Sequence, residues 1–443
     1  MSRAIVVLLL FLFHSVCAQA QGEPERMRIH GSQTLAAKLV PAVAEAWLRD
    51  IGYVGIRREQ PAPNRTELHA SRDGQPLVVE IVASSSAQGF AALVDGRAQI
   101  AMTTRRPTAA ELDAGWQLGD LASHDQEFAL ALDGAAVVVN RANPVAKLSL
   151  RQLRALFSGE IRHWSELGAG AGPVRLHRVD GANSARDLID ERVMQGARHA
   201  AAQRHADAPA LLRAIAADPW GIGFVSLRQG LGAGVRPVAI EEGGRAIAPT
   251  RVGVQSEDYP LTRRLYLYGS QMMGALSRSF ALYAMGRRGQ DAVARAGHFA
   301  LTLRPGQRQA SLAGPGDYRA LVDGAQRLPL SLRFNLTGQN DSGIAASVYD
   351  SRAVRDLERL EAFMRLPPNR GRRLLVIGFA DGTGPAATSL MMSNDRADLV
   401  AQELISRGLV VERVRGMGAA LPLARTGAPG DRYRNERVEV WLR

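Results

Sequence analysis

Cysteine is nearly missing from this 443-residue chain, with Cys17 the only one. It lies inside a leader-like N-terminus, so the chain beyond it has neither a disulfide nor a cysteine-ligated metal and must be held by its core. Long apolar runs are missing too. Ile5–Phe13 is unbroken, but it is well short of the roughly 20 residues that span a bilayer. There is no HExxH, no Cys/His metal spacing, no Walker phosphate loop and no GxSxG elbow. Nothing therefore points to catalysis, a metal or a cofactor. His124-Asp125-Gln126-Glu127 has the composition of a metal pair but reads more simply as a solvated loop. Gly168-Ala169-Gly170-Ala171-Gly172 reads as a flexible loop, because no helix pattern follows it. Lysine is scarce beside arginine, and the formal net charge is +12. Such a chain attracts anionic partners, but an arginine-favouring genome and a solvated surface explain the charge more simply.

What is present starts with a tripartite leader. Arg3 supplies a positive start, Ile5–Phe13 the apolar run, and Ala18-Gln19-Ala20 small residues at a cleavage point. This is the order of a secretory signal peptide, residues 1–20, with cleavage expected after Ala20. His14-Ser15-Val16 fits a lipidation box at Cys17 poorly. Export sets nucleic acid aside as a partner. From Met27 to Leu303 short apolar runs, such as Leu77–Val82 and Ala135–Val139, alternate with helical patterns at Leu35–Leu48 and Leu150–Phe157. This alternation predicts an α/β fold with largely parallel sheets. Residues 304–327 are polar and carry Pro305 and Pro315, so they read as a linker with one short helix. A second unit, residues 328–443, shows strands at Leu330–Phe334, Leu374–Phe379 and Arg437–Leu442. Helices are expected at Asp350–Met364 and Met391–Ser406, giving a small βαβαβ sandwich.

In the last of these helices Arg396 shares a face with Met392 and Val400. A guanidinium beside an apolar stripe needs a partner, since leaving a buried charge unpaired costs several kcal/mol, on the order of 3–5. Asp381, at the end of the preceding strand, is the best candidate. A carboxylate and a guanidinium facing one cleft can bind a zwitterion; spacing alone equally allows an internal salt bridge. The segment Val376–Val400 resembles the OmpA-like peptidoglycan-binding domain. Gly378, Asp381, Gly384, Ser393, Arg396 and Ala397 match its motif, as do Gly416-Met417-Gly418, Pro422, Asn435 and Arg437-Val438-Glu439 further on. The resemblance implies that Asp381 and Arg396 hold the diaminopimelate of a peptidoglycan stem peptide. Phe379, Ala380 and Ser389 replace the family's His, Thr and Asn, and Glu436 replaces the first Arg of its terminal pair. Fewer polar contacts are thus expected, and weaker or less specific binding.

In the first unit, hydroxyl clusters recur at strand ends: Ser32 and Thr34, Ser84-Ser85-Ser86, and Thr103-Thr104. Strand ends converge on the ligand cleft of α/β folds, and helix N-termini there accept anions, although ordinary helix caps are commoner. The run Val139–Gly168 resembles the periplasmic phosphate-binding proteins of ABC importers, with Gly221-Ile222-Gly223-Phe224, Tyr259–Arg263 and Gly289-Gln290 also similar. The resemblance spans residues 27–303 and implies two lobes of the type II periplasmic-binding-protein kind closing over an oxyanion. It implies oxyanion contacts from Thr34, Ser85, Ser86, Thr104, Arg178, Asn183 and Ser184. Thr104 stands where members of the family carry Asp or Ser, and one hydroxyl of the turn after Arg178 is lost.

Together these readings describe a non-enzymatic periplasmic protein of a Gram-negative envelope. It is expected to bind phosphate or a similar oxyanion through its first domain and diaminopimelate-type peptidoglycan through its second, associated with the wall or the outer membrane. Outer-membrane or ABC-transporter proteins are further partners that the two families allow. The alternatives are a structural envelope protein whose first domain has lost its ligand and docks a protein, and a phosphate-ester hydrolase.

Overall fold

The computed structural model describes residues 24–181, 183–306, 314–334, 349–427 and 429–443. The leader, with Cys17 and the expected cleavage point, lies outside the described residues.

The first domain is built on β1 (Glu25–Ser32), β2 (Val54–Ala62), β3 (Arg65–Arg72), β4 (Gln75–Ser84), β5 (Ile100–Thr103), β6 (Glu127–Asn140), β7 (Lys147–Ser149), β8 (Arg175–Val179), β9 (Gln203–His205), β10 (Gly221–Ser226), β11 (Val235–Pro237), β12 (Ala239–Glu241) and β13 (Thr262–Tyr268). Ten of the strands follow the order β2-β3-β4-β1-β5-β13-β6-β10-β8-β9, and β11 joins at β6. β1 pairs in parallel with both β4 and β5, as the alternating pattern predicts. β6 is the crossover. Glu127–Gly134 pair with β13, and Ala135–Val139 pair with β10. All of its residues are buried, so a near-continuous apolar run replaces the alternation of a half-exposed strand.

On one side of this crossover, Ile29, Val79, Ile81, Ile100 and Met102 pack under Val43, Trp47 and Phe280, with the Trp47 and Phe280 rings 5.4 Å apart. On the other side, Val137, Val139, Leu153, Phe157, Trp164, Leu188 and Phe224 form a second core. Two cores joined by crossing strands make two lobes. Each fully buried aromatic or aliphatic side chain contributes roughly 1.5–3 kcal/mol.

Three local expectations are corrected. The helix expected at Leu35–Leu48 is two helices, Gln33–Ala36 and Leu39–Asp50. In one continuous helix the ring of Pro41 would collide with the carbonyl four residues earlier. The break at Lys38, with φ −146°, puts Pro41 in a first turn instead. The segment from His124 is not a solvated loop throughout. Gln126 donates to Leu118 O and Gly269 O at 2.8 and 3.0 Å, and Glu127 accepts from Tyr268 Oη at 2.7 Å. Among the described residues no His, Cys, Asp and Glu group is placed to hold a metal. The Gly168–Gly172 loop is pinned under Trp220, so close that a Cβ on Gly172 would lie 2.0 Å from the indole.

The second domain contains β14 (Gln326–Arg333), β15 (Leu374–Phe379), β16 (Val411–Gly416) and β17 (Arg437–Leu442), in the order β14-β17-β15-β16. Helices Ser351–Met364 and Ala386–Ser406 cover one face. The expected strands and helices are present, with β16 as an additional edge strand. The short helix expected before residue 328 is Gly316–Val322. It covers the opposite face, where Tyr318 and Val322 pack on Leu375, Ile377, Phe379 and Trp441. β17 is therefore buried on both faces despite its alternating sequence. Arg437 and Glu439 are sealed inside, paired at 3.0 Å.

The second domain also packs against the first through polar groups. Arg264 Nη2 reaches Asp350 Oδ2 and Tyr433 Oη, each at 3.0 Å. Arg327 meets Asp258 at 2.6 Å, and Arg434 donates to Asp258 O at 2.6 Å. Arg245 N donates to Pro422 O at 2.8 Å, and Ala424 bridges to Glu242 and Gly243.

Candidate binding sites

Close backbone approach shapes the cleft of the first domain. Gly31 adopts φ +137°, and a Cβ there would stand 2.1 Å from Met102 O. A Cβ on Gly89 would stand 2.9 Å from Gly31 Cα, so the helix Ser86–Val94 is seated directly on the end of β1. This contact gathers three strand ends. A cavity of about 890 Å³ opens there, lined by Thr34, Ser85, Ser86, Thr104 and Arg105 of the first lobe, by Asp187 and Glu191 of the second, and by Arg263 of β13.

Thr34, Ser85, Ser86 and Thr104, all expected from sequence, thus share one cavity. Ser86 Oγ accepts from Thr104 N at 3.1 Å and lies 3.4 Å from Thr104 Oγ1. Ser85 is the helix N-cap, accepting from Gln88 N at 3.1 Å, so the ordinary cap and the proposed ligand group are the same hydroxyl. Arg178, Asn183 and Ser184 are not among the lining residues of this cavity. Arg178 lines a separate one of about 510 Å³ with Arg186, Asp190, Arg198 and His199. Asn183 caps the helix Ser184–Ile189 by accepting from Arg186 N at 3.0 Å, and Ser184 O accepts from Arg263 at 3.1 Å.

The guanidinium that does face the cleft together with the hydroxyls of the first lobe is Arg263. It is held by Asp133 at 3.4 Å and Glu191 at 3.7 Å, and its buried Nε has no partner. The sequence placed Arg263 inside a family-like run without assigning it a role. Asp187 and Glu191 went unassigned because their helical spacing resembles any solvated helix face. Burial pushes the Asp187 carboxyl above its usual range, and Arg263 only partly opposes this. Arg105 also lines the cleft, but its charge is taken by Glu111 through contacts of 2.6 and 2.7 Å.

In the second domain Asp381 and Arg396 are both close to buried but do not pair with each other. Asp381 accepts from Asn435 Nδ2 at 2.7 Å and from Gly427 N at 3.2 Å. The partner of Arg396 is Glu436, at 2.7 Å, and not Asp381 as its spacing suggested. Consecutive residues, Asn435 and Glu436, therefore hold the two anchors. Arg396 keeps one buried nitrogen, Nη1, without a partner. Phe379, at the position of the family's His, is turned to the opposite face, where Arg437 lies 4.0 Å over its ring. That position therefore contributes nothing polar beside Asp381.

A two-lobed domain with a hydroxyl-lined cleft, followed by a small α+β domain with two paired charges, has the architecture of a binding-protein fold carrying an accessory domain. The model of the PBP superfamily domain matches residues 65–287, half of the chain, and that of the OmpA family matches residues 346–436. The chain belongs to the PBP superfamily, and its C-terminal domain is of the OmpA family. It is 28% identical over 153 residues to the phosphate-binding protein PstS of Staphylococcus aureus strain USA300, covering 32% of this chain and 45% of the relative. It is 23% identical over 207 residues to PstS of Staphylococcus saprophyticus, covering 45% and 64%. The chain thus spans about half the length of the curated relatives it matches. Among solved structures, an ABC-type phosphate transport receptor from Vibrio cholerae aligns with TM-score 0.48 and 21% identity, over 62% of this chain and 99% of that one. PstS from Borrelia burgdorferi aligns with TM-score 0.48 and 17% identity, over 62% and 98%.

Proposed function

We propose that this is a cell-wall-tethered periplasmic solute-binding protein and not an enzyme. Its first domain binds an oxyanion, with phosphate as the reference ligand, and its second binds diaminopimelate-type peptidoglycan. The observation that carries the proposal is the convergence of Thr34, Ser85, Ser86 and Thr104 on one cleft faced by Arg263. Hydroxyls donate to an oxyanion without adding charge, and one guanidinium supplies charge-assisted hydrogen bonds. Arg178, Asn183 and Ser184 remain the second-lobe contacts that the family resemblance implies. Cleavage near Gln21 delivers the protein to the periplasm, and the curated relatives named as phosphate-binding proteins support binding over turnover.

Calorimetric titration of the processed protein with phosphate, sulfate and arsenate tests the first half. Truncating the guanidinium that holds the ligand should cost about 2–5 kcal/mol, so Arg263→Ala and Arg178→Ala titrated side by side show which one does. Absence of heat with all three anions refutes the oxyanion reading.

In the second domain Asp381 takes the ammonium and Arg396 the carboxylate of one stereocentre, with the free Nη1 as donor. Asp381→Ala and Arg396→Ala should each abolish sedimentation with diaminopimelate-type sacculi, and lysine-type sacculi should bind less. Folded variants that sediment like the unaltered protein place the wall site elsewhere. A second reading, a docking protein without a small ligand, is favoured by one observation: every guanidinium lining the cleft already has a carboxylate partner.

A further inference from the structure

The two sides of the cleft are chemically opposite. The first lobe contributes donors: the hydroxyls of Thr34, Ser85, Ser86 and Thr104. The helix Ser184–Ile189 and the turn after it, both in the second lobe, contribute carboxylates, Asp187 and Glu191. Arg263, on β13 beside the crossover strand β6, stands between the two sides. Neither lining guanidinium leaves its charge free. Glu111 takes Arg105 in a two-pronged contact, and Asp133 and Glu191 share Arg263. Asp187 has no guanidinium within ion-pair distance among the described residues. Counting Arg105 and Arg263 against Glu111, Asp133, Glu191 and Asp187, the cleft and its immediate partners carry more negative than positive charge. A bare dianion entering this cavity meets donors on one side and repulsion on the other. The cavity, about 890 Å³, also falls in the range of about 300–1,000 Å³ that holds ligands of many atoms.

We infer that the cleft takes a small zwitterion, with an oxyanion at the Thr34, Ser86, Thr104 and Arg263 side and an ammonium at Asp187 and Glu191. This deepens the oxyanion reading and rests on it. Such a ligand satisfies both walls at once. Its ammonium supplies the three donors that two carboxylates lack, while its acid end accepts from the hydroxyls and from the unpartnered Arg263 Nε. Asp187 gains most, because its carboxyl is disfavoured as an anion by burial until a cation stands beside it.

The test is calorimetric titration of the processed full chain with 2-aminoethylphosphonate, ethylphosphonate and inorganic phosphate. 2-Aminoethylphosphonate is expected to bind at least tenfold more tightly than either of the others. Glu191→Gln, at a residue half exposed to solvent and so tolerant of change, should narrow that margin, as should Asp187→Asn. Each should weaken the amine ligand and tighten ethylphosphonate, a crossed effect that misfolding cannot produce. Equal or tighter binding of phosphate or ethylphosphonate overturns the zwitterion and leaves the oxyanion reading intact. So does a preference for the amine ligand that both variants retain. Silence with all three ligands overturns both.

Discussion

Glu436→Gln probes the second site most directly, because stability and binding should move in opposite directions. Glu436 is 2% exposed at its side chain, and its carboxylate lies 2.7 Å from Arg396 and 2.7 Å from Arg432. At such a separation an ion pair near a protein surface is worth about 6 kcal/mol at an effective dielectric of about 20, before desolvation is counted. A wall carboxylate approaching Arg396 must displace or share this internal partner. Glutamine keeps the shape and one acceptor but removes the charge. The net competition relieved is that of one charge-assisted hydrogen bond, about 1.5–3 kcal/mol. With 1.4 kcal/mol per tenfold, wall affinity should rise about 10- to 100-fold. In the free protein the same change leaves Arg396 short of a counter-charge, which costs up to about 3–5 kcal/mol. The melting temperature should fall and partly recover when soluble diaminopimelate-containing muropeptide is added, since a ligand that binds only the folded form stabilises it. The assay is sedimentation with purified sacculi at low salt, alongside a thermal melt. A folded Glu436→Gln protein that sediments no better than the unaltered one refutes the competition argument. One that sediments less makes Glu436 part of the binding surface.

Three further outcomes are expected. Burial and the neighbouring Arg228 lower His298 to about 4. Its folded value is thus below the unfolded one, so its contribution, about 3 kcal/mol, is present above pH 6.5 and lost as pH falls toward 4; urea unfolding across that window should show the loss, and His298→Asn should flatten it. Asp350, held down to about 2 by Arg264 and Arg106 against the cost of burial, contributes about 2 kcal/mol that is present above pH 4 and lost as pH falls toward 2. Asp350→Asn should weaken the docking of the two domains and split calorimetric unfolding into two transitions; one unshifted transition would refute this. A Cβ at Gly378 would lie 2.0 Å from Ser393 O, so Gly378→Ala should push away the helix that carries Arg396, costing about 1–3 kcal/mol in a thermal melt together with wall binding.

Much of the fold is legible in short stretches of sequence. Leu77–Val82, Leu150–Phe157, Leu374–Phe379 and Arg437–Leu442 each carry a period or apolar density that fixes their element whatever surrounds them. The hydroxyl clusters are legible too, because each lies at the end of a strand and two of them open a helix, and the fold carries those ends together. Asp381 and Arg396 stand out because a charge beside an apolar stripe is anomalous wherever it occurs. Other features depend on groups distant in the chain. That Arg396 pairs with Glu436, 40 residues away, follows from how β17 is laid beside β15 and not from helical spacing. That Arg437 and Glu439 are sealed inside follows from the helix Gly316–Val322 covering a face that the alternation of β17 marks as open. Arg263, Asp187 and Glu191 become cleft residues only when β13 and the second lobe are brought opposite the hydroxyls. The sequence by itself determined the secondary elements, the two domains and which residues are chemically out of place, because those depend on local periodicity and composition. Tertiary structure alone decided which charge meets which. Ion pairing acts through space over a few ångströms, and neighbours at that distance are set by the folding of remote segments together.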